Sequence, residues 1–207
     1  MAIDPSRVRG EPLKFDTLLG HGIEYDGESR SSVRAGQVTT TAVASSFVME
    51  SGIHYAEFHI DATRSYIGIV RPMPNLDSGR CANNEFNFFK HSLREDFLAT
   101  RSDERDRGNT HVCCYIPYTG SMSWTDWDSE RLMGEDWEGM ERCRTGDTVG
   151  MLLNLDEGTL AVYKNNRRLG VMKDGLSGSY CWCATGAGNT VITIERCDNP
   201  LAVQALI

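Results

Sequence analysis

Short apolar runs broken by Gly, Asn and Asp recur along this chain, while helix-period patterning is scarce. Runs of this length between turn-forming residues are strand-sized, and such a rhythm constrains the fold more than any single residue does. The segment His54–Ile60 is the clearest case. Ala56, Phe58 and Ile60 fall on one face, with Tyr55, Glu57 and His59 on the other. That alternation predicts a half-buried antiparallel strand, entered through a turn at Ser51-Gly52. Further runs lie at Tyr66–Val70, His111–Ile116, Val149–Leu155, Thr159–Tyr163, Arg168–Met172, Tyr180–Ala184 and Thr190–Glu195. Asp156-Glu157-Gly158 closes one expected hairpin, and Asn165-Asn166 a second, since Asn tolerates the positive φ that tight turns demand. The series predicts an all-β sandwich or barrel. Two stretches break the rhythm and read as long loops: 84–109, with one helical turn, and 118–141, where Trp124, Trp127 and Trp137 stand among acidic residues.

Length and charge narrow the field. The chain has 207 residues, 40% of them hydrophobic, and a formal net charge of -8. That is enough for one domain with a substantial core, and too acidic for general nucleic-acid binding, which draws its affinity from clustered basic charge. No apolar run reaches membrane-spanning length, and the first residues carry no secretory apolar stretch. An odd count of seven cysteines predicts reduced thiols and a cytoplasmic location, with the nucleus as the other compartment. No C-x-x-C or H-E-x-x-H occurs, so no metal or cofactor is expected. Cys181 and Cys183 share one strand face and read as small buried hydrophobes.

The motifs of catalysis are missing. There is no full G-x-S-x-G elbow and no phosphate loop, and Gly186-Ala187-Gly188 lacks the third glycine of a dinucleotide site. Asp156-Glu157 sit side by side on a turn, where they point apart, whereas glycosidases need two carboxyls facing each other. The expectation is that the chain is not an enzyme.

Four pieces in order carry a resemblance to a known family. The stretch Gly146–Val171, with Gly146-Asp147-Thr148-Val149-Gly150, Leu155-Asp156-Glu157-Gly158-Thr159-Leu160 and Asn165-Asn166-Arg167-Arg168-Leu169-Gly170, resembles the SPRY/B30.2 family. Ser51–Phe58 resembles that family's S-G-[KR]-H-Y-W-E strand, Tyr66–Val70 its [WY]-x-[IV]-G-[IV] strand, and Gly175–Tyr180 its G-L-x-G-x-L-Y segment. Ala56 stands where the family usually has Trp, and Asn166 replaces the usual hairpin glycine. No PRY-type motif is visible. The hairpin region is most like the branch that carries a SOCS box, but 198–207 is too short for that box. The resemblance implies a bent sandwich of two antiparallel sheets with concanavalin-like architecture. It would span residues 20–197, between an N-terminal extension 1–19 and a tail 198–207.

What the resemblance implies about function is recognition: a monomer gripping a short segment of a partner protein through loops at one end of the sandwich, within a larger scaffold or ubiquitin-ligase adaptor. Candidates follow. Arg71, Pro72 and Met73 come directly after the Tyr66–Val70 strand; Gly186, Ala187, Gly188 and Asn189 match the family's ligand-gripping V-W-G turn without its aromatic. Tyr118, Trp124 and Trp127 lie on the acidic stretch, whose charge predicts a basic ligand. The tryptophans serve equally as core, since Trp is highly buried on average. Arg71→Ala is expected to weaken capture and leave the melting temperature nearly unchanged. The competing readings are a carbohydrate-binding sandwich using Trp124 or Trp127 as platform, and an anion sensor in which Arg71, Arg167 and Arg168 would converge.

Overall fold

The computed structural model describes residues 12–60, 65–73, 76, 78–90, 110–126 and 132–197. Among these described residues, fourteen strands and one helical turn follow in order: β1 Thr17–Leu19, β2 Glu24–Tyr25, β3 Ser32–Arg34, β4 Thr40–Val43, β5 Ile53–Ile60, β6 Ser65–Val70, α1 Ser78–Cys81, β7 Val112–Tyr115, β8 Met122–Thr125, β9 Leu132–Glu135, β10 Thr148–Asn154, β11 Thr159–Lys164, β12 Arg167–Lys173, β13 Cys181–Gly186 and β14 Val191–Arg196. They form two antiparallel seven-stranded sheets. Sheet one runs β1-β4-β13-β6-β7-β8-β9, and sheet two β12-β11-β10-β5-β14-β3-β2. The all-β sandwich expected from the sequence is the fold observed.

Alternation within the strands builds the core. Ala56, Phe58 and Ile60 of β5 are buried, as are Ile67 and Ile69 of β6, Met151 and Leu153 of β10, and Trp182 of β13. Phe58 and Trp182 meet edge to face at 6.1 Å across the two sheets. Burial of such side chains contributes about 1.5–3 kcal/mol each. Tyr55 departs from its expected solvent face: it is 7% exposed, and with Leu152, Ala161 and Tyr163 it forms a small cluster on the outer side of sheet two. Asn165 and Asn166 hold φ of 49° and 64°, the left-handed pair a two-residue hairpin turn requires.

Three boundaries differ from expectation. The sandwich begins before residue 20: Leu13 and Phe15 belong to the core, and β1 pairs with β4 through Thr17↔Val43. Leu13 and Phe15 alternate with Lys14 and Asp16, but two apolar residues are too short a run to mark a strand in sequence. The stretch 118–141 is not a loop throughout, because β8 and β9 pair there and extend sheet one. Within 84–109, residues 84–90 carry Phe86, Phe88 and Phe89 onto the outer face of sheet one, against Val43, Val70, Val112, Cys114, Cys181 and Cys183. The remainder of that stretch and the tail 198–207 lie outside the described residues.

Candidate binding surface

Antiparallel register brings distant segments to one end of sheet one. Gly186 pairs with Ser65, Thr185 with Tyr66, and Ile67 with Tyr115. The C-terminal ends of β13 and β7 therefore flank the start of β6, and the loops that follow those strands face each other across it. Between them lies a groove of about 520 Å³, lined by Thr39, Ser65, Tyr66, Ile116, Tyr118, Thr185, Gly186 and Ala187.

The walls are preformed. Gly188 N–H donates to Gln37 O and Asn189 N–H to Gly36 O, both at 3.3 Å, while Thr190 Oγ1 donates to Ala187 O at 2.6 Å. Asn189 sits at φ 62°, which Asn tolerates better than most residues. Opposite, a turn closed by Gly120 N–H to Ile116 O at 2.8 Å presents Tyr118, 60% exposed. The floor is fixed by Thr185 Oγ1, 2.8 Å from Thr41 Oγ1, which donates to Phe86 O at 3.2 Å. Ser65 is 1% exposed, and its Oγ has no hydrogen-bond partner among the described residues. The groove thus offers aromatic surface and a small-residue wall, which is binding chemistry.

Of the sequence candidates, Tyr118, Gly186 and Ala187 meet in this groove, and Gly188 and Asn189 form the exposed tip of its wall. Arg71, Pro72 and Met73 do not join them. They follow the opposite end of β6, about 20 Å away at strand rise, and line a second groove of about 310 Å³ with Val48, Leu76 and Phe88. Arg71 Nη2 donates to Ser177 O at 2.9 Å, and its guanidinium lies 5.0 Å from the Tyr180 ring centre. Trp124 pairs in register with Cys113, on the core side of the sheet. Its Nε1 donates to Glu135 Oε2 at 2.8 Å, and Lys173 Nζ from the other sheet lies 4.6 Å from its ring centre. Trp124 fastens the open side of the sandwich. Trp127 lies outside the described residues. Sequence reading missed Thr39, Ser65, Tyr66, Ile116 and Thr185; only the strand register unites them.

Beyond Tyr118 a wider polar cleft opens, walled by Glu141, Arg142, Arg144, Asp147, Lys164 and Arg167. Lys164 Nζ reaches Glu141 at 3.1 Å and Asp147 at 3.3 Å, and Arg167 reaches Glu141 at 2.5 Å. Hydrogen bonds from Arg167 and Lys164 hold the Glu141 carboxyl below its ordinary range. The Arg144 N–H, then Asn165, do the same for Asp147.

The described residues contain no group of three His, Cys, Asp or Glu that could hold a metal ion, and no helix long and apolar enough to cross a membrane. No disulfide is recorded among the described cysteines.

No protein-family model matches this chain, and no curated protein matches it. Solved structures do. The SPRY domain of human HERC1 is similar with a TM-score of 0.52 and 14% identity, covering 81% of this chain and 89% of that one. The PSpry domain of TRIM65 gives 0.51 and 12%, covering 87% of each. At such identity the likeness speaks for the fold, and it agrees with four motifs in family order: the chain is a SPRY-like β-sandwich.

Proposed function

We propose that this chain is a protein-interaction domain, not an enzyme, and that it takes a short segment of a partner protein into the groove between Tyr118 and the Gly186–Asn189 loop. The observation that carries the reading is the convergence of Tyr118, Gly186 and Ala187 in one preformed groove. Walls already held by backbone hydrogen bonds lose little entropy when a ligand arrives, and an exposed Tyr is a common binding hot spot. The lack of a disulfide among the described cysteines is in keeping with a reducing compartment, the cytoplasm or nucleus. A monomer serving a scaffold or ligase adaptor needs no more than this one surface. The carbohydrate reading loses its Trp124 platform, since that ring is covered by Lys173 and its N–H is engaged by Glu135.

The test is affinity capture with mass spectrometry from the source cells, using the wild-type chain, Tyr118→Ala and Ala187→Arg. Both variants alter exposed or half-exposed positions, so their melting temperatures stay at the wild-type value. The same partner drops out of both captures. A partner retained undiminished by both variants would remove this groove from consideration.

A further inference from the structure

We propose that the segment held in this groove is acidic, and that Arg142 and Arg144 bind its carboxylates. The inference rests on the groove reading above and adds the chemistry of the partner.

It starts from an imbalance. The chain carries a net charge of -8, yet the cleft adjoining Tyr118 has four cations, Arg142, Arg144, Lys164 and Arg167, against two carboxylates, Glu141 and Asp147, a local balance of +2. Those two carboxylates are engaged internally: Glu141 by Lys164 and Arg167, Asp147 by Lys164 and by Asn165 Nδ2 at 2.8 Å. Arg142 and Arg144 are both exposed, and neither has a carboxylate partner among the described residues.

Their position is set by the fold. Cys143 between them is buried, and its N–H donates to Pro117 O at 2.8 Å. The segment 141–144 therefore runs beside the turn that presents Tyr118, with the residues on either side of Cys143 in solvent. Tyr118 lines both the groove and the cleft, so an extended chain leaving the groove over that ring passes the two guanidinium groups. Arg pairs with carboxylate through two parallel hydrogen bonds, and Tyr beside Arg is a common hot-spot composition. The acid that the sequence placed on this stretch is partly engaged elsewhere, since Glu135 accepts from Trp124 and Glu141 holds Lys164 and Arg167. Among the residues that wall the cleft, the unpaired charge is positive.

The test is a random-peptide display selection on the full chain, on Tyr118→Ala and on the double variant Arg142→Glu/Arg144→Glu. The wild type should enrich peptides carrying Asp or Glu beside an apolar or aromatic anchor. The best of these should bind the double variant about tenfold more weakly or worse, and lose affinity as salt rises. Its Asn/Gln counterpart should bind wild type and double variant alike. Tyr118-dependent peptides with no excess of acid, or acidic peptides bound undiminished by a folded double variant, would overturn the charge assignment and leave the groove standing. If no enriched peptide depends on Tyr118, the groove reading fails and this inference with it. Circular dichroism checks that the double variant is folded.

Discussion

The Arg71 guanidinium reaches Ser177 O at 2.9 Å and lies over the Tyr180 ring, while the Tyr180 hydroxyl donates to Thr110 O at 2.9 Å. Three chain segments are tied together through two side chains. The loop approaches so closely that a Cβ on Gly178, at φ +76°, would stand 2.5 Å from Arg71 Nη1. A charged donor to a carbonyl is worth about 1.5–3 kcal/mol and a cation over a ring about 0.5–1 kcal/mol. Arg71→Ala should therefore destabilise by about 2 kcal/mol, lowering the melting temperature by about 4–8 °C for a domain of this size. Sequence alone led to the opposite expectation, because an Arg after a strand looks the same whether it faces solvent or clasps a loop 106 positions away. Thermal denaturation followed by circular dichroism decides between them. A melting temperature equal to wild type would return Arg71 to the surface.

At the scale of elements, the β11–β12 hairpin shows what local sequence encodes well. Its turn and the antiparallel pairing of β11 with β10 follow from Asn-Asn and the apolar runs, while the two register shifts between β11 and β12 do not. Asn165 does more than turn the chain: its Oδ1 accepts from Thr148 N–H at 2.9 Å, and its Nδ2 donates to Asp147 at 2.8 Å, so the turn also fixes one wall of the polar cleft. Asn165→Ala loses both bonds and places Ala at positive φ, costing about 2 kcal/mol. Asn166→Gly restores the residue type most at ease at the second position of such a turn, and should be neutral to stabilising by about 0.5 kcal/mol. Urea denaturation of the two variants checks the pair; equal midpoints would mean that the turn contributes nothing specific. The β8–β9 hairpin was illegible by contrast. Its acidic residues and tryptophans look like a loop because Trp124 turns its ring toward the core edge while its N–H and ring face meet Glu135 and Lys173. Such a strand is defined by partners that the local pattern does not contain.

Over the whole molecule, legibility divides along sequence distance. Strands with strong alternation, and turns with Gly or Asn, were readable in place; the resemblance supplied their order. The groove was readable only at Tyr118, Gly186 and Ala187. Ser65, Tyr66 and Thr185 become neighbours through the register of β6 and β13, which no short window holds. The same non-local packing decides how the fold responds to pH. Burial pushes the Cys181 thiol from 9.0 up to about 12, and burial likewise pushes the Tyr180 phenol from 10.0 to about 12, against the pull of Arg71. Groups raised in the folded state stabilise it fully below their unfolded values, and that contribution is lost as pH rises through the folded values. Each such group makes stability fall by up to about 1.4 kcal/mol per pH unit within its window. Glu141 and Asp147 are lowered from 4.5 and 3.8, so their contribution is present above those values and lost as pH falls through the depressed ones. Glu141 is well exposed to solvent, so its share of the acid limb is shallow. Stability should hold level from about pH 5 to about pH 9 and then fall steeply toward pH 12. Denaturant midpoints measured across that range test it. In Cys181→Ala the alkaline fall should become less steep, because one raised group is gone while Tyr180 remains. A midpoint that stays level above pH 9 would show that the buried thiol and phenol ionise without loosening the sandwich.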